Sequence, residues 1–92
     1  MSTSADTRAV ELRVAEVMIS ELRLEDVTAE TFDPDLDLVD ELGIDSMDLT
    51  TVALLLQDEF GVVIDDEDYP QLTTLRKMAL YILAQQEKQA QA

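Results

Sequence analysis

The stretch LGIDSMD, residues 42–48, marks the point where an acidic loop turns into an amphipathic helix. Asp45 is a favourable N-cap residue, and Asp48 three positions later imitates a capping box. Ser46 therefore lies in the first turn, where backbone N–H groups have no partner within the helix and carry partial positive charge. A phosphodiester fits well at such a position, so Ser46 is a candidate point for attaching a phosphate-linked group.

The helix that follows is predicted to begin at Asp45 or Ser46 and to end at Phe60, with Gly61 as its C-terminal stop. Its core face carries Leu49, Val52, Ala53, Leu56 and Phe60. Its opposite face carries Met47, Thr51, Leu54 and Asp58. Two apolar side chains on the ridge beside the candidate serine favour a docking face over scattered surface residues.

Other helices are predicted before and after this one. The first begins near Ser4 to Thr7 and runs to about Leu22. Its core-facing residues are Val10, Val14, Val17, Met18 and Leu22. Residues 66–69 are predicted to form one helical turn, which Pro70 stops. The last helix is capped by Thr73 or Thr74 and buries Leu75, Met78, Ala79 and Ile82. The N-terminal residues and the polar segment 85–92 are expected to fray.

A long connection spans about Leu24 to Asp45. The alternation in residues 33–38 could indicate a strand, but no second strand is evident to pair with it. We interpret the segment as an ordered loop whose inward residues are Phe32, Leu36, Leu38 and Leu42. Loops of this length usually have a function or contain a short helix. The aspartates from Asp33 onward imitate an EF-hand, but Leu38 and Ile44 stand where that loop needs Gly and Glu, so no metal site is predicted.

Composition limits the classes of function. The 92 residues suffice for one domain, residues 1–92, and 21 acidic against 6 basic residues give a net charge of −15. Between Glu25 and Asp68 there are 16 acidic residues and no Lys or Arg. Such a surface repels nucleic acid and anionic membranes and attracts basic partner proteins.

The absence of Cys and His excludes a disulfide framework, a thiolate nucleophile and Ser-His or Cys-His pairs. No signal peptide and no apolar run long enough to span a bilayer are visible, so a cytoplasmic protein is expected. The chain is also expected to be a monomer. Paired carboxylates could do acid–base work in principle, but nothing in the sequence marks a pocket, and an enzyme is disfavoured.

Three motifs together resemble the acyl carrier proteins. Residues 42–47 are similar to the carrier motif Gly-x-Asp-Ser-Leu, residues 56–64 to an acidic helix end followed by an apolar connector, and residues 72–75 to the segment before the final helix. Each motif alone is weak, but their order and spacing within one small domain are specific. The resemblance covers about Val10 to Leu83.

The resemblance implies an all-α four-helix bundle, with three longer helices, one short third helix and a long first loop. It implies that a phosphopantetheinyl transferase uses coenzyme A to attach 4′-phosphopantetheine to Ser46, where acyl groups then travel as thioesters between acyl-loading and acyl-processing enzymes. Asp45 and Met47, on either side of Ser46, are the other cofactor-binding residues implied, and Asp45 and Asp48 correspond to acidic positions that help the transferase to engage the site. The docking residues implied are Asp48, Thr51, Leu54 and Asp58, and the residues that could shelter an acyl chain are Leu56, Phe60, Ile64 and Leu72.

Departures from the family pattern bear on the pathway. Met47 replaces the common Leu, a change of similar volume that should preserve docking. Thr51 and Gln57 stand where glutamates are common in fatty-acid carriers, which favours a discrete carrier of a polyketide or related natural-product pathway. The alternatives are an aminoacyl or peptidyl carrier, a fatty-acid carrier, and an unmodified acidic helical module that docks on partners without a cofactor.

Overall fold

The computed structural model describes residues 3–91, and over that range it contains helices and no strand. The helices are α1 (Thr3–Leu22), α2 (Leu38–Leu42), α3 (Ser46–Phe60), the 3-10 helix η1 (Asp66–Gln71) and α4 (Leu75–Gln91). Helix α1 packs against both α3 and α4, while η1 packs against α3. The predicted small helical bundle, with three longer helices and a short one before the last, is confirmed. The expected fraying of Met1 and Ser2 lies outside the described residues.

The predicted core faces are buried where the three long helices meet. Val14 and Met18 of α1, Val52 and Leu56 of α3, and all four predicted residues of α4 are almost fully buried. Val17, Leu22 and Phe60 are only partly buried against this core, as are Leu12 and Ile19 of α1.

The first loop contains α2, a five-residue helix that the sequence left as an open possibility. Its ends have local causes. The Asp37 carboxylate accepts hydrogen bonds from the N–H groups of Val39 and Asp40, and Gly43 ends the helix at φ 67°, in the left-handed region that favours glycine. Phe32 and Leu38 are buried as predicted. Leu42 was expected to point inward, but it is 37% exposed because the C-terminal end of α2 lies at the surface.

Ionic and backbone contacts fasten this loop to the bundle. Glu11 of α1 is only 4% exposed and forms ion pairs with Arg8 at 3.4 Å and Arg76 at 3.6 Å. Arg76 of α4 also pairs with Asp35 of the loop at 3.3 Å, and its N–H donates to the Pro34 carbonyl at 2.9 Å. The loop is therefore held to α4 through Arg76, and the Arg76–Glu11 ion pair links this contact to α1.

The predicted end of the short helix is wrong. Pro70 does not stop the short helix but lies within η1, because its fixed φ suits a 3-10 helix and its missing N–H costs one exposed hydrogen bond. Up to Gln91, the polar segment that begins at Gln85 is part of the last helix. Helix α4 continues to Gln91, since the Gln85 and Gln89 side-chain amides donate to the carbonyls of Val63 at 2.9 Å and Gly61 at 3.0 Å. Thr74, one of the two predicted caps, accepts a hydrogen bond from the N–H of Lys77 at 3.1 Å.

Candidate functional site

Ser46 is the first residue of α3, and a reciprocal cap fixes its position. The Asp45 carboxylate accepts from the N–H of Asp48 at 2.8 Å, and the Asp48 carboxylate accepts from the N–H of Asp45 at 3.5 Å. This is the capping box that the sequence predicted. The cap belongs to Asp45, so the Ser46 hydroxyl is not needed to begin the helix.

The surroundings of Ser46 leave its hydroxyl available. The residue is exposed, and within residues 3–91 its Oγ forms no hydrogen bond, while its carbonyl accepts from the Thr50 hydroxyl at 2.8 Å. In the same range, the N–H groups of Ser46 and Met47 donate to no protein acceptor. Two open amides at a helix N-terminus can donate to a phosphate, so the residues present fit a phosphodiester on this oxygen.

The face of α3 opposite the core is open to solvent. We call Met47, Thr51, Leu54 and Asp58 the docking ridge; all four are exposed, with Met47 at 78% and Leu54 at 55%. The Thr51 hydroxyl donates to the Met47 carbonyl at 3.1 Å, so this threonine offers mainly its methyl group to a partner. The structure brings these four predicted residues together on one ridge.

Asp48, which was predicted to dock together with Thr51, Leu54 and Asp58, lies elsewhere on the helix. At 3.6 residues per turn it is roughly a quarter turn from the docking ridge. It is half-buried and lines a depression with Leu22 and Ile44. Its carboxylate belongs to the capping box, so the structure gives it a role in the fold that the docking prediction did not include.

Glu59 is the other carboxylate at the end of α3, and it is paired. Its Oε1 accepts from the Arg13 guanidinium of α1 at 2.7 Å. This hydrogen bond lowers the pKa of Glu59 and raises the pKa of Arg13. Because Arg13 neutralises the charge of Glu59, Asp58 is the carboxylate at this end of α3 that an incoming cation can meet.

The predicted acyl-sheltering residues lie in or against the core. Leu56, Ile64 and Leu72 are at most 4% exposed, and Phe60 is half-buried beside them. Two polar contacts that the sequence did not reveal hold the neighbouring backbone. Gln57 Oε1 accepts from the Ile64 N–H at 2.7 Å, and the Tyr81 hydroxyl donates to Asp68 of η1 at 2.6 Å. Burial of the Tyr81 hydroxyl raises its pKa, and the hydrogen bond to Asp68 raises this pKa further by a smaller amount.

Two aspartates of the first loop accept hydrogen bonds from backbone N–H groups. Asp33 Oδ1 accepts from the Asp35 N–H at 2.9 Å, and Asp37 caps α2. Among the described residues, no group of three or more His, Cys, Asp or Glu side chains is placed to hold a metal ion. In the same range, no helix has the length and apolar character needed to cross a bilayer.

Comparison with known proteins gives a consistent result. Residues 13–82 match the family described as "Phosphopantetheine attachment site". The acyl carrier protein of Nitratidesulfovibrio vulgaris (strain Miyazaki F) is 32% identical over 74 residues, which are 80% of this chain and 93% of that protein. The acyl carrier protein of Solidesulfovibrio magneticus is 37% identical over 70 residues, 76% of this chain and 86% of that protein.

A solved structure agrees with these matches. It is described as "Novel Structural Components Contribute to the High Thermal Stability of Acyl Carrier Protein from Enterococcus faecalis". Its TM-score is 0.65 at 29% identity, with 85% of this chain and 96% of that chain covered. The resemblance read from the three motifs is confirmed, and the alternative of a module without a cofactor is wrong. With its capped α3, its helical bundle and these relatives, the chain belongs to the acyl carrier protein family, whose members are carriers of 4′-phosphopantetheine and not themselves enzymes.

Proposed function

We propose that the Ser46 hydroxyl is the attachment point of 4′-phosphopantetheine. The observation that carries this proposal is the exposed Oγ at the first residue of α3, beside two amides with no protein acceptor in residues 3–91. Those amides and the helix dipole accommodate the negative charge of a phosphodiester. The bound group supplies a terminal thiol that holds acyl groups as thioesters, whereas the chain itself has no Cys.

The test is conversion of the apo protein with a phosphopantetheinyl transferase and coenzyme A, followed by intact-mass measurement. We expect a gain of one phosphopantetheine, and fragmentation should locate it on the peptide containing Ser46. A group found on another hydroxyl would reject this residue as the site.

We further propose that the docking ridge meets basic patches on the enzymes that load and process the cargo. Single exposed apolar residues are common, but Met47 and Leu54 share one ridge with Asp58. The acidic surface steers basic partners toward this ridge, and the small apolar contact allows rapid release, as a carrier requires. Asp45 and Asp48 support this function by fixing the start of α3.

Charge reversal should separate docking from folding. We expect Asp58→Lys to lower kcat/KM for a partner enzyme about tenfold, because the steering charge is inverted. Its free energy of unfolding should change by less than about 0.5 kcal/mol, since a lysine is tolerated in the last turn of a helix. Asp48→Lys should instead lose about 1 kcal/mol of unfolding free energy, because it breaks the capping box and places a cation at a helix N-terminus.

The measurements are steady-state kinetics at low salt and urea denaturation. Glu87→Lys is the matched control, since it makes the same charge change at an exposed position of α4. Equal kinetics for Asp58→Lys and Glu87→Lys would contradict docking on this ridge.

We infer a discrete carrier of a polyketide or related natural-product pathway as the finer assignment. This inference is supported by Thr51 and Gln57, which differ from the glutamates that fatty-acid carriers commonly have at these two positions. The Gln57 amide oxygen is also committed to the Ile64 N–H at 2.7 Å, so this position serves the fold. Mass spectrometry of protein isolated from its native host reads the tethered cargo directly. Intermediates that retain more than one β-keto group support this inference, while fully saturated chains or aminoacyl groups reject it.

We propose that any shelter for the acyl chain forms where Leu56, Phe60, Ile64 and Leu72 meet. These side chains come from α3, from the connector that follows it and, for Leu72, from the residue directly after η1. Opening it requires η1 to move away from α3, and the Tyr81–Asp68 hydrogen bond restrains that movement.

A further inference from the structure

A groove in the first loop is separate from the docking ridge. It encloses about 360 Å³. Its apolar walls are formed by Leu24, Val27, Phe32, Leu36 and Leu42. We call it the first-loop groove. Leu42, which was expected to point inward from the loop, is 37% exposed at its edge.

The rim of the first-loop groove carries charge of one sign. Glu25, Asp26 and Asp33 line it, and no Lys or Arg lies among its lining residues. Glu25 and Asp26 are exposed and form no ion pair within the described chain. An apolar groove with unneutralised carboxylates at its edge fits an apolar side chain that is flanked by lysine or arginine.

The groove leads toward the start of α3. A neighbouring depression shares Leu24 and Leu42 with it and extends to Ile44 and Asp48, which is two residues from Ser46. Arg23, the residue after α1, lines this depression and not the first-loop groove. A protein that fills the groove is therefore brought close to the candidate attachment point.

We propose that the first-loop groove receives a lysine- or arginine-flanked apolar side chain of the phosphopantetheinyl transferase. This inference rests on the proposed modification of Ser46. The transferase must bring its active site to the Ser46 oxygen itself, whereas other enzymes reach the far end of a long tether. A contact surface beside the start of α3 therefore serves the transferase most directly. A second copy of this chain is a poor occupant, because its net charge of −15 opposes an acidic rim.

The test compares transferase kinetics for charge-matched double variants of the full chain. Glu25→Lys with Asp26→Lys alters the rim, and Glu67→Lys with Glu87→Lys makes the same total charge change on η1 and α4. We expect the rim variant to raise KM for the carrier about tenfold with kcat unchanged, and the difference to shrink as salt is added. The control variant should remain close to wild type.

The apolar contact is tested with Leu42→Ser against Leu80→Ser, a change at a 50% exposed residue of α4 outside the groove. Leu42→Ser should raise KM several-fold, while Leu80→Ser should not. Thermal melts followed by circular dichroism show whether each variant is folded. Raised KM confined to the two groove variants, both folded, supports the proposal.

The outcomes separate this inference from the proposed function. Complete modification of Ser46 with equal KM for rim and control variants overturns the groove while the attachment site stands. Faster thioester hydrolysis in acylated Leu42→Ser, with unchanged KM, assigns the groove to the cargo and also overturns the proposal. Failure of the wild-type chain to be modified at Ser46 overturns both.

Discussion

Ser46→Ala is expected to abolish attachment of 4′-phosphopantetheine while the helical fold remains intact. The substitution removes only the hydroxyl, which forms no hydrogen bond within residues 3–91. Asp45 supplies the N-cap of α3, and alanine is the best helix former, so the helix should still begin at the same residue. Intact mass after incubation with transferase and coenzyme A measures the result. The expected gain is zero for the variant and one group for the wild type.

Ser20→Ala is the matched control, because it removes an exposed serine hydroxyl from α1. It should be modified as completely as the wild type. A Ser46→Ala protein that still gains the group, with an unchanged thermal melt, shows that another hydroxyl receives it. A variant that loses both the modification and its thermal transition would instead reveal that Ser46 is needed for folding, against the capping geometry described above.

The start and end of α3 were predictable because their causes are local. Asp45 and Asp48 form their capping box within three residues, and Gly61 ends the helix at φ 65°. The exposure of Met47 and Leu54 follows from helical periodicity, which needs no knowledge of the rest of the fold. The residues around the candidate attachment point are therefore the part of the site that the sequence specifies most directly.

Features set by distant partners were not predictable in this way. Leu38 and Leu42 lie four residues apart on one face of α2, yet Leu38 is 1% exposed and Leu42 is 37% exposed. Periodicity gives a direction for each side chain, but the depth depends on how α2 is tethered. The N–H of Leu38 donates to the Thr73 carbonyl at 2.9 Å, a contact across 35 residues of chain. The continuation of α4 beyond Gln85 has the same kind of cause, because its glutamines bond to the connector after α3.

Asp48 shows a different limit of sequence reasoning. Its acidic side chain fits both a capping box and a docking surface, and both interpretations are sound from the pattern alone. The structure favours the capping box, because the Asp48 carboxylate is bonded in it and Asp48 lines a depression with Ile44. Variants of Asp48 therefore report on stability as well as recognition, and Asp58 is the cleaner probe of docking.

Leu38→Ala should lower the free energy of unfolding by about 3 kcal/mol, since it leaves a cavity at an almost fully buried site. The free energy of unfolding of a small domain is about 5–15 kcal/mol, so this loss is a large fraction of the stability of the chain. The side chain lies in the same core as Phe32 and Leu75, so its loss weakens the attachment of the first loop. Urea denaturation followed by circular dichroism gives the change, with the slope of the transition checked for two-state behaviour.

Val39→Ala is the natural comparison because it alters the next residue of the same short helix. Val39 is 47% exposed, so its truncation should change the unfolding free energy by less than about 0.5 kcal/mol. Alanine suits a helix at both positions, which leaves burial as the main difference between the two variants. Similar effects for both would mean that α2 does not hold Leu38 in the core. A large effect confined to Leu38→Ala shows that one buried leucine, together with its backbone hydrogen bond to Thr73, fixes the position of the first loop. That loop contains the first-loop groove and leads to the start of α3.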